Sequence, residues 1–211
     1  MLPTIGNPIF AIRPADAQRE LRNRTTLRRK SAKRLLVSGL QSKNAVKDIE
    51  ELPDFEETLH VVFRGNFPLW SIVRATLALA TPAVIESLSL ATLGFSKSNA
   101  TDLFSLIDGG QVQSVNAVCS VYFERQNPAE YKMMADGLSA RGQRIVALRS
   151  HAKVIGMELS DGRRFVVESS ANLRSCRNLE QLSFTQSPPL HDFHAGWIRE
   201  VIEAAAGKKS K

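Results

Sequence analysis

The chain reads as an α/β sandwich, a mixed β-sheet flanked by helices on both faces, with a basic N-terminal extension. Three observations predict it. Strand-like and helix-like stretches alternate from Thr58 onward, glycine and proline mark their junctions, and two apolar runs meet at a Ser160-Asp161-Gly162 turn.

The elements follow in order. Thr58–Arg64 (TLHVVFR) predicts a strand, and Pro68–Ala80 (PLWSIVRATLALA) a helix with proline in its first turn. Ile85–Phe95 alternates apolar and small polar residues as a strand does; Asn99 then caps a helix through Ile107 that stops at Gly109-Gly110. Val112–Phe123 predicts a third strand and Pro128–Ala140 a helix ended by Gly142. Arg144–Leu148 is a short strand, and His151–Leu159 pairs with Arg164–Glu168 as a hairpin. A last helix covers about His191–Ala206, with Trp197 and Val201 one turn apart and expected to face inward. Upstream, Ala15–Leu36 is compatible with a basic helix whose leucines are too sparse for a buried face. The resulting division is an extension over residues 1–45, helical or partly disordered, a connector over 46–54, a compact domain over 55–207 and a basic tail over 208–211.

Composition narrows the class. With 43% hydrophobic and 23% charged residues in 211, the chain has the make-up of an ordinary globular protein with one buried core. Its longest apolar stretch, Phe67–Leu90, is interrupted by Arg74, Pro82 and Glu86, which argues against stable membrane insertion. Met1–Phe10 has neither the basic start nor the apolar core of a secretory leader, so the expected location is cytoplasmic. Cys119 and Cys176 lie far apart without a CxxC pattern, as ordinary reduced thiols do. The net charge of +7 is unevenly placed: residues 1–40 hold nine Lys/Arg against Asp16 and Glu20, and the remainder balances 19 against 19. Such a segment, with Arg22, Arg24, Arg28, Arg29 and Lys30 at its centre, suits a polyanion, nucleic acid or an anionic membrane surface, through counterion release. The plainer reading is a solvated tail.

The chemistry-bearing residues lie further on. His151-Ala152-Lys153 places a histidine and a lysine two apart at the expected start of a strand, so both side chains would share a face suited to phosphate. Ser169-Ser170-Ala171-Asn172 follows the partner strand and returns beside them, and Glu180 offers a carboxylate able to hold an imidazole by its second nitrogen. No carboxylate cluster suited to magnesium is apparent, and no cofactor is expected.

The run HAKVIGME…ESSANL…NLE resembles the HxK(x)4D…GSxN motif of the phospholipase D superfamily, particularly its single-motif bacterial nucleases and a related metal-independent restriction endonuclease domain. The resemblance covers about residues 55–205. Glu158 stands where the family has aspartate, Ser169 where it has glycine, and the hairpin between the lysine and the serine is longer. It implies that His151 is the nucleophile, that Lys153 and Asn172 hold the nonbridging phosphate oxygens with Ser170 as a lesser contributor, and that Glu180 orients His151. A neutral imidazole attacks phosphorus competently near pH 7, and a fixed ammonium stabilises the charge that develops.

His60, His191 and His194 are each followed two residues later by Val62, Phe193 and Gly196, so the chain has a single HxK. The resemblance calls for two histidines, a nucleophile and an acid, and so implies a homodimer with its motifs facing across a two-fold axis. His60 is expected in or near the core, and His191 and His194 at a helix start or on the surface. Among the arginines flanking the motif, Arg174 and Arg177 are expected near the substrate groove. The leading expectation is a nuclease acting on DNA or RNA without metal. The alternatives are a lipid phosphodiesterase and a nucleic-acid-binding protein of the same fold that does not turn over, because fold does not fix substrate.

Overall fold

The computed structural model describes residues 27–31, 34–40, 49–64, 67–174 and 178–207. Nine strands and five helices lie within them: β1 (Leu27–Ser31), β2 (Arg34–Leu40), β3 (Thr58–Arg64), α1 (Ser71–Ala80), β4 (Ile85–Thr92), α2 (Lys97–Asp108), β5 (Val112–Ser120), α3 (Val121–Gln126), α4 (Pro128–Ser139), β6 (Arg144–Leu148), β7 (Val154–Leu159), β8 (Arg164–Ser169), β9 (Leu179–Gln186) and α5 (Pro188–Gly207). They form one mixed sheet in the order β1-β2-β3-β9-β8-β7-β4-β5-β6. The expected α/β sandwich is therefore the observed fold, with α1 to α4 on one face and α5 on the other.

Pairing fixes the direction of every strand. β4, β5 and β6 run parallel to one another, β7 runs against β4, β8 against β7, β9 against β8, and β3 against β9. The carboxyl ends of β3, β4, β5, β6 and β8 thus share one edge with the starts of β7 and β9. This is the edge at which open α/β sheets bind ligands.

Burial explains the two layers. Phe63, Leu88, Leu90, Ile155, Met157, Phe165, Val167 and Phe184 pack under α1, α2 and α4, with the Phe165 and Phe184 rings 5.4 Å apart. A fully buried side chain of this size contributes about 1.5–3 kcal/mol. On the other face Ala91, Val118, Val154 and Val166 meet Ile198 and Ile202 of α5. Ile198 and Ile202 are the inward residues of that helix. Trp197 and Val201, expected inward, are only partly buried, because the helix turns one residue further than a Trp197-centred face would require. His191 lies in the first turn of α5, near the helix start as expected, and is only 2% exposed; a Cβ on Gly156 would come 3.4 Å from its ring. His194 is likewise buried; its Nδ1 accepts from Trp197 Nε1 at 3.1 Å, and its Nε2 lies 3.2 Å from Glu168. His60 is half-buried on β3.

Several boundaries move. The third strand ends at Ser120, whose hydroxyl accepts from Tyr122 N at 3.2 Å and opens α3. α2 is capped by Ser96 rather than by Asn99, although the Asn99 side chain closes a capping box with Ser96. Within Ala15–Leu36, the described residues are strands, not the expected helix: β1 pairs with β2, and β2 extends the sheet alongside β3. The run Leu35-Leu36-Val37 finds backbone partners on that edge, which a helix with a sparse apolar face could not offer. Among the described residues no helix is long and apolar enough to cross a membrane.

Candidate active site

The loop from β6 to β7 carries the histidine and the lysine. β6 and β7 are separated in the sheet by β5 and β4, so residues 149–153 cross the carboxyl ends of both. His151 and Lys153 therefore precede the strand on which they were expected, because the chain must bridge three strand spacings, about 14 Å, before it can pair. Ser150 steadies the crossing, its hydroxyl accepting from Ala152 N at 3.1 Å while its own N–H reaches Leu148 O at 2.9 Å.

The two side chains meet nonetheless. Lys153 Nζ lies 3.0 Å from His151 Nδ1 and 3.0 Å from the His151 carbonyl oxygen. His151 is exposed, whereas Lys153 is only 9% exposed. Burial holds the Lys153 ammonium below the usual lysine range, and the nearby Glu180 carboxylate pulls it partly back up. An ammonium can only donate, so while Lys153 is charged Nδ1 accepts and the imidazole proton sits on Nε2.

The segment after β8 supplies the remaining groups. Ser169 turns back to the main chain, its hydroxyl donating to Gln181 O at 2.6 Å and accepting from Ala171 N at 3.0 Å. Ser170 donates to Glu180 Oε2 and accepts from Gln181 N at 3.0 Å. Ser169 thus shapes the turn and Ser170 meets the carboxylate. Asn172 follows; its Oδ1 is buried without a hydrogen-bond partner. Arg174 is exposed in the same loop, and Arg177 lies outside the described residues, as does Cys176. Burial pushes the Cys119 thiol up to about 12, so it is no nucleophile near neutrality.

Other expected positions fall away from this edge. Glu158 is near the far end of β7, paired with Arg164 at 2.6 Å, and Arg164 in turn reaches Asp192 at 3.1 Å. Of the basic cluster, Arg22 and Arg24 lie outside the described residues, and Arg28, Arg29 and Lys30 occupy β1. β1 is five strand spacings from β7, about 24 Å. Among the described residues no group of three or more His, Cys, Asp or Glu is placed to hold a metal ion. Ser150 and the main chain of Gln181 are positioning groups that the motif does not include; they directly adjoin His151 and Glu180 in the chain, and that proximity is the only signal the sequence offers, while Ser169, at the motif's glycine position, shapes the turn.

No protein family and no curated protein matches the chain. Among solved structures, the chain is similar to Nuc from Salmonella typhimurium, a phospholipase D family member, at 18% identity and a TM-score of 0.46, covering 68% of this chain and 93% of that one. It is also similar to TrmBL2, an archaeal chromatin protein with a novel mode of DNA binding, at 17% identity and a TM-score of 0.44; the match covers 68% of this chain and about half, 52%, of TrmBL2.

Proposed function

We propose that the protein is a phosphodiesterase of the phospholipase D type, a metal-independent nuclease that works as a homodimer. The observation that carries this reading is the gathering of His151, Lys153, Ser170, Asn172 and Glu180 at one sheet edge, with Lys153 Nζ 3.0 Å from His151 Nδ1. A histidine, an ammonium, an amide and a carboxylate are the types that covalent phosphoryl transfer needs.

The resting hydrogen bond gives the reaction an order. With Lys153 donating to Nδ1, Nε2 carries the proton and has no lone pair for attack. A phosphodiester entering the site draws the Lys153 ammonium onto a nonbridging oxygen, which frees Nδ1. The imidazole then adopts the Nδ1–H form, supported by Glu180, and Nε2 attacks phosphorus. The P–O bond to the leaving group breaks as the partner subunit's His151, released from its lysine in the same way and carrying a proton on both ring nitrogens, gives one to the departing oxygen. Water, deprotonated by that same imidazole, then cleaves the phosphorus–nitrogen bond of the phosphohistidine and restores His151. The basic segment around Arg22–Lys30 favours a polyanionic strand as substrate.

A second reading is favoured by the same contact. If Lys153 does not release His151, the protein binds nucleic acid without cutting it. Both are tested by incubating the protein with single- and double-stranded DNA and RNA in excess chelator, beside His151→Ala. Cleavage by the wild type alone is expected. No cleavage with retained binding would replace the nuclease reading by the second, and a stable monomer in a solution mass measurement would remove the composite site.

A further inference from the structure

The edge that carries His151 continues beyond it. Val154, Ala91, Val118 and Val146 form one row across β7, β4, β5 and β6. His151 stands three residues before Val154 and Tyr122 four residues after Val118, so both leave the sheet at the same edge. Two strand spacings, about 10 Å, separate β7 from β5.

Tyr122 is held outward by its neighbours. Ser120, buried at the end of β5, accepts from Tyr122 N at 3.2 Å and fixes the turn into α3. Phe123 is buried against Phe95, with ring centroids 4.6 Å apart, and this anchors the residue next to Tyr122. Tyr122 itself is 64% exposed. On the adjacent strand Leu148 pairs with Ser120, and the exposed Arg149 follows it into the loop that carries His151. A large aromatic side chain on a rigid support, with a guanidinium on the neighbouring strand end and a phosphate-directed pair two strands away, has the composition of a stacking subsite.

We propose that Tyr122 stacks on a base next to the cleaved phosphodiester and that Arg149 contacts a phosphate of the same strand, so the substrate is single-stranded nucleic acid. The proposal rests on the nuclease reading and narrows it. A base must leave its duplex partner to lie flat on a side chain, whereas a lipid diester has no such face to offer.

The test uses the full chain carrying His151→Ala, which blocks turnover. Binding is measured to a single-stranded oligonucleotide and to an abasic strand of equal length. Tyr122→Ala should weaken binding of the first about tenfold and leave the second unchanged, while Tyr122→Phe keeps both. Equal loss on both strands, or no loss on either, overturns the proposal. So does conversion of a dimer to monomer by Tyr122→Ala, which would assign the ring to the contact between copies. A wild type that neither cuts nor binds any nucleic acid removes the nuclease reading and this subsite together; binding that ignores Tyr122 removes the subsite alone.

Discussion

Trp70 Nε1 donates to Asp102 Oδ2 at 2.6 Å, while the Trp70 backbone N–H reaches Leu173 O at 3.4 Å. One residue at the entry to α1 thus ties α2 to the loop that presents Asn172. Arg74, one turn along α1, donates to the same carboxylate through Nε at 2.8 Å.

Asp102→Asn should therefore lower stability by about 1 kcal/mol, a modest figure because both partners of the ion pair are partly solvated. The hydrogen bond from Arg74 holds the Asp102 carboxyl below its ordinary 3.8. Its contribution is present above that value and is lost as pH falls through the lower folded-state value. Urea unfolding at pH 7 and near pH 3 should show the variant losing less stability in acid than the wild type; equal losses would contradict the assignment.

Lys153→Met should reduce kcat about 10²-fold or more, the scale of removing one preorganised charge from a transition state. The fold should not suffer. Burial keeps Lys153 below its ordinary 10.5, so the unfolded chain holds that proton more strongly. The cost of the buried charge is full at neutral pH and fades as pH rises toward 10.5. The melting temperature of Lys153→Met should equal or exceed that of the wild type at pH 7, and the gap should close by about pH 10. A variant markedly less stable at pH 7 would show that the ammonium supports the fold.

Glu180→Gln removes the negative charge that draws the Lys153 value upward. With burial unopposed, the lysine should lose its proton at lower pH, and the alkaline limb of the pH–rate profile should move to lower pH. Ser170→Ala, which leaves the charge in place, should keep that limb fixed. A Glu180→Gln profile that scales down without shifting would disconnect the two groups.

Replacing Arg22, Arg24, Arg28, Arg29 and Lys30 by glutamine should weaken nucleic-acid binding at low salt and flatten its salt dependence, by about 0.7–0.9 in log–log slope for each phosphate left without a cationic partner. Substitution is the cleaner experiment than deletion, because removing β1 and β2 would also uncover the backbone edge of β3. An unchanged slope would show that these five residues have no share in binding.

Much of the architecture was legible because local chemistry and tertiary contacts agree. Arg144–Leu148 and Thr58–Arg64 are strands over the expected residues, and the turn at Ser160–Gly162 joins β7 to β8, with Gly162 at a φ of 85°. β9 was not legible. Its inward residues, Leu182 and Phe184, alternate over only two positions, while Leu179 at its start is exposed, so the stretch lacks a sustained period of two. The strand exists because β3 and β8 both pair with it, a long-range cause that a local pattern does not contain. The candidate site could be proposed from its residue types, but their placement was not legible. Nothing within His151-Ala152-Lys153 announces that β4 and β5 lie between β6 and β7, yet that ordering lifts the pair off the strand.

The crossing from β6 to β7 also sets how far the domain can be altered. From Leu148 to Val154 the chain has six steps, at most about 20 Å of reach, for a lateral gap of about 14 Å and a further rise along the strands. Little slack remains once the Ser150 turn is made. Surface loops elsewhere can absorb insertions, but a residue deleted here would pull β7 out of register with β4 and turn its apolar residues to the wrong layer. His151 thus rides on a strut whose length is matched to the width of the sheet.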